Sequence, residues 1–514
     1  MVFSSATFMF VFLPIFLVAY FICPTRALKN LCLLLASLVF YAWGEPVYVL
    51  LMIFTIAANW ALALVIGGSA RGESRPSRAL LVVAVAIDIL VIGFFKYEGF
   101  VAENVNALLG STVVPDLELP LPIGISFYTL QALSYVIDVW RGEVVPQRNI
   151  LYLGMYVACF PQLIAGPIVR YKTIATQIAE RRENMADFAS GLRLFVVGFA
   201  KKAILANTAA ILADELLGYG ASSVGAVGAW AGVIAYTFQI YFDFGGYSDM
   251  AIGLGRMLGF KYLRNFNYPY ISKSVTEFWR RWHISLSSFF RDYIYIPLGG
   301  NRVSVPRHIF NMMVVWGITG LWHGAAWNYV LWGLYYGVLL VCEKYLWGRF
   351  LEGLPSVVRH LYTIVVFVFG WAIFWVTDIF ELGRWLMAMF GAYGATGDFT
   401  FWQLDAWEYW PVAIICIVAS TPIVPCLKEH LLAWVADREP RSVISDGIAH
   451  PKAIAADSLC TLEPACGEEP VTRTRALVLA VVGIGRDVVL IALLLWGLAM
   501  VVSGSFNPFI YFQF

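Results

Sequence analysis

Long apolar runs separated by short polar junctions recur from one end of the chain to the other. Such runs lie near 8 to 23, 30 to 43, 47 to 66, 79 to 95, 122 to 139, 150 to 169, 189 to 214, 226 to 250, 307 to 322, 326 to 346, 357 to 377, 409 to 427 and 477 to 502. Most approach or exceed the roughly 20 residues that a helix needs to cross a bilayer. The alternating pattern of a membrane barrel is absent, and an open sheet cannot satisfy its backbone in lipid. The pattern predicts an all-α integral membrane protein, a polytopic bundle of about 11 to 13 transmembrane helices. Gly and Pro interrupt several runs, as in FPQLIAGPIVR (160 to 170). Broken helices are tolerated where backbone is buried in protein or lines a cavity, so re-entrant or interfacial helices around a polar interior are expected.

Two regions depart from this rhythm. Residues 261 to 308 are basic and aromatic, and 428 to 475 mix charges of both signs with Pro, Gly and Ser. The second is expected to be a solvated, partly disordered loop. No repeat at a solenoid period and no separate soluble domain is visible, so 1 to 514 is expected to form a single membrane domain.

Composition agrees: 60% of residues are hydrophobic and 13% charged, with mean hydropathy +0.73, whereas soluble domains carry about twice that charge. A net charge of +1 argues against nucleic acid as a partner. The first run has no basic residue before it and no cleavage site after it, so it reads as a retained signal anchor. Arg26, Lys29, Arg71, Arg75 and Arg78 mark loops expected to be cytoplasmic, which puts the N-terminus on the outer side. The next loop, around 98 to 118, carries Glu98, Glu103, Asp116 and Glu118 and no Lys or Arg, as that orientation requires. Six cysteines lie in or beside apolar runs and behave as small hydrophobes. Cys460 and Cys466 share the hydrophilic loop and would bridge only in an oxidising compartment. No CxxC or His/Cys cluster suggests a metal site.

Against this scarcity of charge, a few polar residues stand out. Asp243 and Asp249 lie six residues apart in YFDFGGYSDMAIGLGRMLGF (241 to 260). Carboxylates at membrane depth cost roughly 2.5 to 3.5 kcal/mol on insertion scales, so they face an interior and have partners. Hydrogen bonding between helices and a part in a site are both open to them. The DFG at 243 to 245 and the GLGRMLG glycines lack the surroundings of a kinase or dinucleotide motif.

In SVTEFWRRWHISLSSFFRDYIYIPLGGNR (274 to 302), Phe278, Trp282, Ser285, Phe289 and Tyr293 fall on one face of a helix. Arg280, Arg281 and Arg291 add positive charge. Two readings fit: a basic helix lying on anionic lipid, or a segment dipping into the bundle with His283 inward and its arginines holding an anionic donor. In GITGLWHGAAWNYVLWG (317 to 333), His323 is the sole side chain that ionises near neutral pH, beside Trp322, with Asn328 downstream. An intramembrane histidine is by default functional, and an imidazole can take a proton from a hydroxyl near neutral pH. No GxSxG elbow offers a serine nucleophile, which leaves direct transfer with a histidine base or a transient acyl-histidine.

These stretches carry a resemblance. MVFSS, LPIGISFYTLQALSYVIDVWRGE (121 to 143), FPQLIAGPIVR, YFDFGGYSDMAIGLG, VTEFWRRWHISLS (275 to 287), RDYIYIPLGGNR, GLWHGAAWNYVLWG and NPFIYFQF span nearly the whole chain in order. Together they resemble the membrane-bound O-acyltransferase family. The resemblance implies a bundle with a tunnel across the membrane, a catalytic histidine at His323 and a second family histidine at His283. It implies that an acetyl group is taken from a cytoplasmic donor, acetyl-CoA, with no permanently bound cofactor. Periplasmic proteins of a polysaccharide acetylation complex would receive it at the bacterial inner membrane, with alginate as the first expected polymer. Cellulose, another exopolysaccharide, peptidoglycan or a D-alanyl carrier are alternative acceptors. A proton-coupled transporter or flippase is the alternative of another class, but it would show inverted repeats, and none is visible.

Overall fold

A computed structural model of the protein describes residues 1 to 69, 77 to 164, 166 to 397, 407 to 436, 473 to 503 and 509. Among them there is no β-strand, and each of the thirteen predicted apolar runs contains helix. Among the described residues, six helices are long and apolar enough to cross a membrane: Val49–Gly68, Arg78–Leu109, Met185–Tyr219, Ala221–Met257, Ser356–Trp375 and Leu477–Val502. The bent pair Trp410–Ala419 and Ile423–Val435, at 50° to each other, brings the number to as many as seven.

The shortfall from the expected count has a physical reason. The run 150 to 169 breaks at Cys159 and Pro161 into Ile150–Ala158 and Phe160–Leu163, and Ile125–Trp140 has only 16 residues. Hydropathy alone does not separate such short or broken pieces from full spans. Two boundaries also move. Arg78–Leu109 carries helix through Glu98 and Glu103, expected in a loop. Ile423–Ala436 makes the start of the 428 to 475 region helical, and helix resumes at Arg473; 437 to 472, with Cys460 and Cys466, lie outside the described residues.

The chain divides into two compact units. One comprises Met1–Phe188 and Gly255–Tyr262. At one end of it Glu183 accepts from Arg26, Lys29 (3.2 Å) and the Tyr20 hydroxyl (2.7 Å). Burial works to raise the Glu183 carboxyl, but these donors outweigh it and hold it down to about 2. Buried Asp88 accepts from Asn59 Nδ2 at 2.9 Å, tying the helices Val49–Ser69 and Arg78–Leu109.

The other unit comprises Ala189–Leu254 and Leu263–Ile510. Two helical stretches in it, 189 to 219 and 221 to 254, meet along glycines. A Cβ on Gly198 would lie 2.5 Å from the Gly246 carbonyl oxygen, and one on Gly253 would lie 2.6 Å from that of Gly191. In lipid, close backbone approach of this kind replaces the hydrophobic drive that water supplies elsewhere. Beside the crossing, a π-helical turn, Lys201–Ala206, presents neighbouring lysines. Lys201 pairs with Asp249 at 2.6 Å and Lys202 with Asp243 at 2.9 Å.

The helices Val305–His323 and Trp327–Cys342 form a hairpin held in the same way. A Cβ on Gly320 would sit 2.4 Å from the Tyr329 carbonyl oxygen, and one on Gly333 would sit 2.5 Å from that of Trp316. The room that Gly320 leaves is therefore taken by a neighbouring backbone. Gly333→Ala should cost about 1 to 3 kcal/mol by overpacking, visible as a lower thermal midpoint of the purified protein. An unchanged midpoint would mean that the two backbones do not touch.

Candidate functional site

The basic aromatic stretch after Leu263 builds most of the site. Its helix Val275–Arg281 starts where Ser274 Oγ accepts from Glu277 N–H at 3.0 Å. A second cap comes from far along the chain: the Glu343 carboxylate accepts from the N–H groups of Val275 and Thr276, at 2.8 Å each, and from the Thr276 hydroxyl. A carboxylate is well placed there, because it satisfies orphan donors and faces the positive end of the helix.

The helix then stops. His283 adopts φ 45° and ψ 53°, a left-handed conformation rare for a side chain of its size, and a new helix, Ile284–Phe290, follows. The predicted continuous helix is thus two, and the supposed face splits. Phe278 and Trp282 pack with Tyr270 and Trp371 in one aromatic stack, with Trp282 and Trp371 4.7 Å apart, whereas Phe289 and Tyr293 pack together beyond the break at 4.6 Å. The break turns His283 inward, leaving it 1% exposed.

His323 closes the helix Val305–His323 just before Gly324 and is 5% exposed. Three rings box it, Trp322, Trp332 and Phe374, with centroids at 5.0, 4.9 and 5.2 Å. Trp322 also lies 6.1 Å from the His283 ring, so one indole separates the two imidazoles.

Both histidines line one cavity of about 310 Å³. Its lining also includes Arg280, Arg291 and Lys344, all exposed. The cavity therefore has a cationic rim and a buried histidine end. Burial pushes the His283 imidazole down to about 3, so at neutral pH the ring carries no charge. Half-buried His360 lies elsewhere, bonded to the Ser272 carbonyl, while His308 joins the cavity wall between the Tyr295 and Tyr345 hydroxyls.

Of the residues singled out from sequence, Arg280, Trp282, His283, Arg291 and His323 meet at this cavity. The others do not line it. Arg281 is buried against Glu277 (2.9 Å) and the Asn267 carbonyl (3.2 Å), joining the helix to the preceding loop. Asn328 Nδ2 donates to the Phe374 carbonyl at 3.1 Å and so sets the ring that packs on His323. Trp322 stands behind the cavity wall. Asp243 and Asp249 are engaged by Lys202 and Lys201, which makes them interhelical ties.

Sequence reasoning passed over Lys344, Glu343, Lys201 and Lys202. The lysine pair inside an apolar run was as conspicuous as the two aspartates, and matching the two pairs by charge would have found the contact. Nothing in the order of residues marks Glu343 as a cap for a helix about 70 positions earlier.

Residues 145–380 match the profile of MBOAT, the membrane-bound O-acyltransferase family. The chain is 37% identical over 522 residues to "Probable alginate O-acetylase AlgI" of Azotobacter vinelandii and 38% identical over 531 residues to the protein of that name in Pseudomonas aeruginosa, each match covering 100% of both chains. The chain belongs to the membrane-bound O-acyltransferase family. It is a membrane protein and an acyltransferase. A "Peptidoglycan O-acetyltransferase" of Helicobacter pylori is a more distant relative, 34% identical over 77% of this chain and 81% of its own. For an acyltransferase, a cavity that gathers two buried imidazoles behind a cationic rim is the candidate site.

Proposed function

We propose that this acyltransferase takes an acetyl group from cytoplasmic acetyl-CoA, works in the bacterial inner membrane, and supplies the O-acetylation of a secreted polysaccharide, alginate. The observation that carries the reading is the single cavity in which two buried histidines lie behind three exposed cations. The phosphates of a coenzyme A thioester suit such a rim, and its thin pantetheine arm suits the interior. In this reading His323 is the general base for the acceptor hydroxyl, and the proton passes on to the departing thiolate. His283 holds the reactants in register. Orientation of a thioester and a hydroxyl in a narrow site can supply several kcal/mol of the barrier, and the aromatic walls limit hydrolysis.

The basic loops near Arg26 and Arg78 support a periplasmic N-terminus, and outward delivery calls for periplasmic partners that carry the acetyl group to the polymer. Alginate is favoured because the relatives named for it are 36 to 43% identical to this chain, whereas the peptidoglycan relative is 34% identical.

Membrane vesicles with the cytoplasmic face outward, given radiolabelled acetyl-CoA, test the donor. Label should pass to membrane protein or polymer. Arg280→Gln, Arg291→Gln and Lys344→Gln combined should raise the KM for acetyl-CoA roughly tenfold, at about 0.5 kcal/mol per exposed charge, and flatten its salt dependence. A triple variant with the same KM at every ionic strength would remove the rim from donor binding. Complementing an alginate producer that lacks its own O-acetylase tests the acceptor through the acetyl content of the secreted polymer.

A further inference from the structure

We propose that Asn265 is a positioning residue that holds His283 in the Nδ1–H tautomer, so that His283 meets substrate through Nε2 as a hydrogen-bond acceptor. Asn265 lies 18 positions before His283, in the loop leading to the helix Val275–Arg281. Its amide oxygen accepts the backbone N–H of Ser285 at 3.1 Å. A backbone N–H can only donate, so this contact fixes which end of the amide points there. The same oxygen accepts the Ser285 hydroxyl at 2.9 Å and lies 3.2 Å from His283 Nδ1. An amide oxygen can only accept, so Nδ1 carries the proton.

In a neutral ring the other nitrogen then bears a lone pair. His283 Nε2 is buried without a hydrogen-bond partner in a ring that lines the cavity. The surrounding backbone holds the arrangement, since the Asn265 carbonyl also accepts Ile284 N–H at 2.9 Å. The left-handed turn at His283 is the kind of local strain that persists where neighbours impose it, as at functional sites.

The chemical consequence is one of polarity. A neutral His283 with a bare Nε2 cannot donate to an oxyanion that develops on the thioester carbonyl; it holds a substrate N–H or O–H. Two groups of the reaction carry one: an amide N–H of the pantetheine arm and the acceptor hydroxyl. The titratable groups that share the cavity are Arg280, Arg291, Lys344, Tyr295, His308 and His323, while Phe244 and Phe266 pack on the His283 ring itself at 4.6 and 6.4 Å.

The proposal rests on the acetyltransferase reading, and two measurements on the full-length protein separate their fates. Nitrogen NMR of histidine-labelled protein in nanodiscs, assigned by the signal lost in His283→Gln, should show Nδ1 protonated and Nε2 bare. In Asn265→Ala the Nε2–H form should appear. In the vesicle assay Asn265→Ala should lower transfer about 10- to 100-fold, the cost seen when a metal-bound imidazole loses the partner that orients it. A raised KM for acetyl-CoA would assign the bound group to the donor, and a lowered kcat at constant KM would assign it to the acceptor.

Asn265→Asp keeps an acceptor at Nδ1, so its loss should be smaller, and a new acid limb should appear in the pH profile. The sign follows from the added carboxylate, which raises the pKa of His283. As pH falls through the raised value, Nε2 gains a proton and stops accepting. A wild-type protein with Nε2–H would overturn the proposal. So would parallel losses of stability and activity in both variants with no acid limb, which would make Asn265 a helix cap only. If the tautomer is as stated but wild-type vesicles transfer no acetyl, the acetyltransferase reading fails and the tautomer lock stands.

Discussion

His323→Ala is expected to reduce acetyl transfer to background while the protein stays in the membrane at its normal abundance. General-base catalysis contributes about 10²- to 10⁴-fold, and no other imidazole in the cavity can take its place. His283 has a bare Nε2, but burial pushes its imidazole down to about 3 and makes it a weak base, and His308 is held between the Tyr295 and Tyr345 hydroxyls. The substitution is tolerable to the fold because His323 is the last residue of its helix, and alanine favours that conformation. Removing the ring does leave space between Trp332 and Phe374, so the thermal midpoint of the variant must be measured beside its activity. His323→Gln fills most of that space without supplying a base and should be equally inactive. Acetyl content of the secreted polymer equal to wild type in either variant would end the assignment.

Asp243→Leu is expected to be the most damaging substitution outside the cavity. It leaves the Lys202 ammonium, 4% exposed, without its carboxylate partner in the interior of the bundle. Breaking a buried pair on one side costs about 3 to 5 kcal/mol, because the remaining charge is desolvated with nothing to offset it. The readouts are abundance in the membrane and the thermal midpoint of purified protein. Lys202→Met combined with Asp243→Leu should recover most of the loss, since replacing both partners by apolar side chains is often neutral. The pair Lys201 and Asp249, more exposed at 25% and 20%, should show the same pattern more weakly. If Asp243→Leu is as stable as wild type, the ion pair does not hold these helices together, and Asp243 must be sought in the chemistry.

What could be read from the sequence follows from what is local. Apolar runs announce helices because lipid leaves few alternatives, and His323 and His283 stand out because an imidazole among tryptophans and phenylalanines has no packing advantage over a hydrophobe. What could not be read is whatever depends on partners far apart. The pattern from Phe278 to Tyr293 fits an unbroken helix, and only the conformation of His283 shows that it is two. Arg281 and Arg280 are neighbours of the same charge, yet the 100° between successive positions on a helix sends one to Glu277 and Asn267 and the other to the cavity rim. The residues behind the site, Asn265, Glu343 and Asn328, are ordinary polar side chains. Their meaning comes from the carbonyls and N–H groups they reach.

The glycine contacts of the hairpin bear on how the enzyme turns over. With the backbones at Gly320 and Gly333 already touching, neither helix can slide or roll past the other without first pulling apart, so the imidazole at the end of the pair is a fixed post. Cargo has to be brought to it and led away again. With the coenzyme A donor proposed above, the pace of the cycle would then be set by the arrival of thioester and the escape of free coenzyme past Arg280, Arg291 and Lys344, and engineering aimed at speed should begin with those side chains.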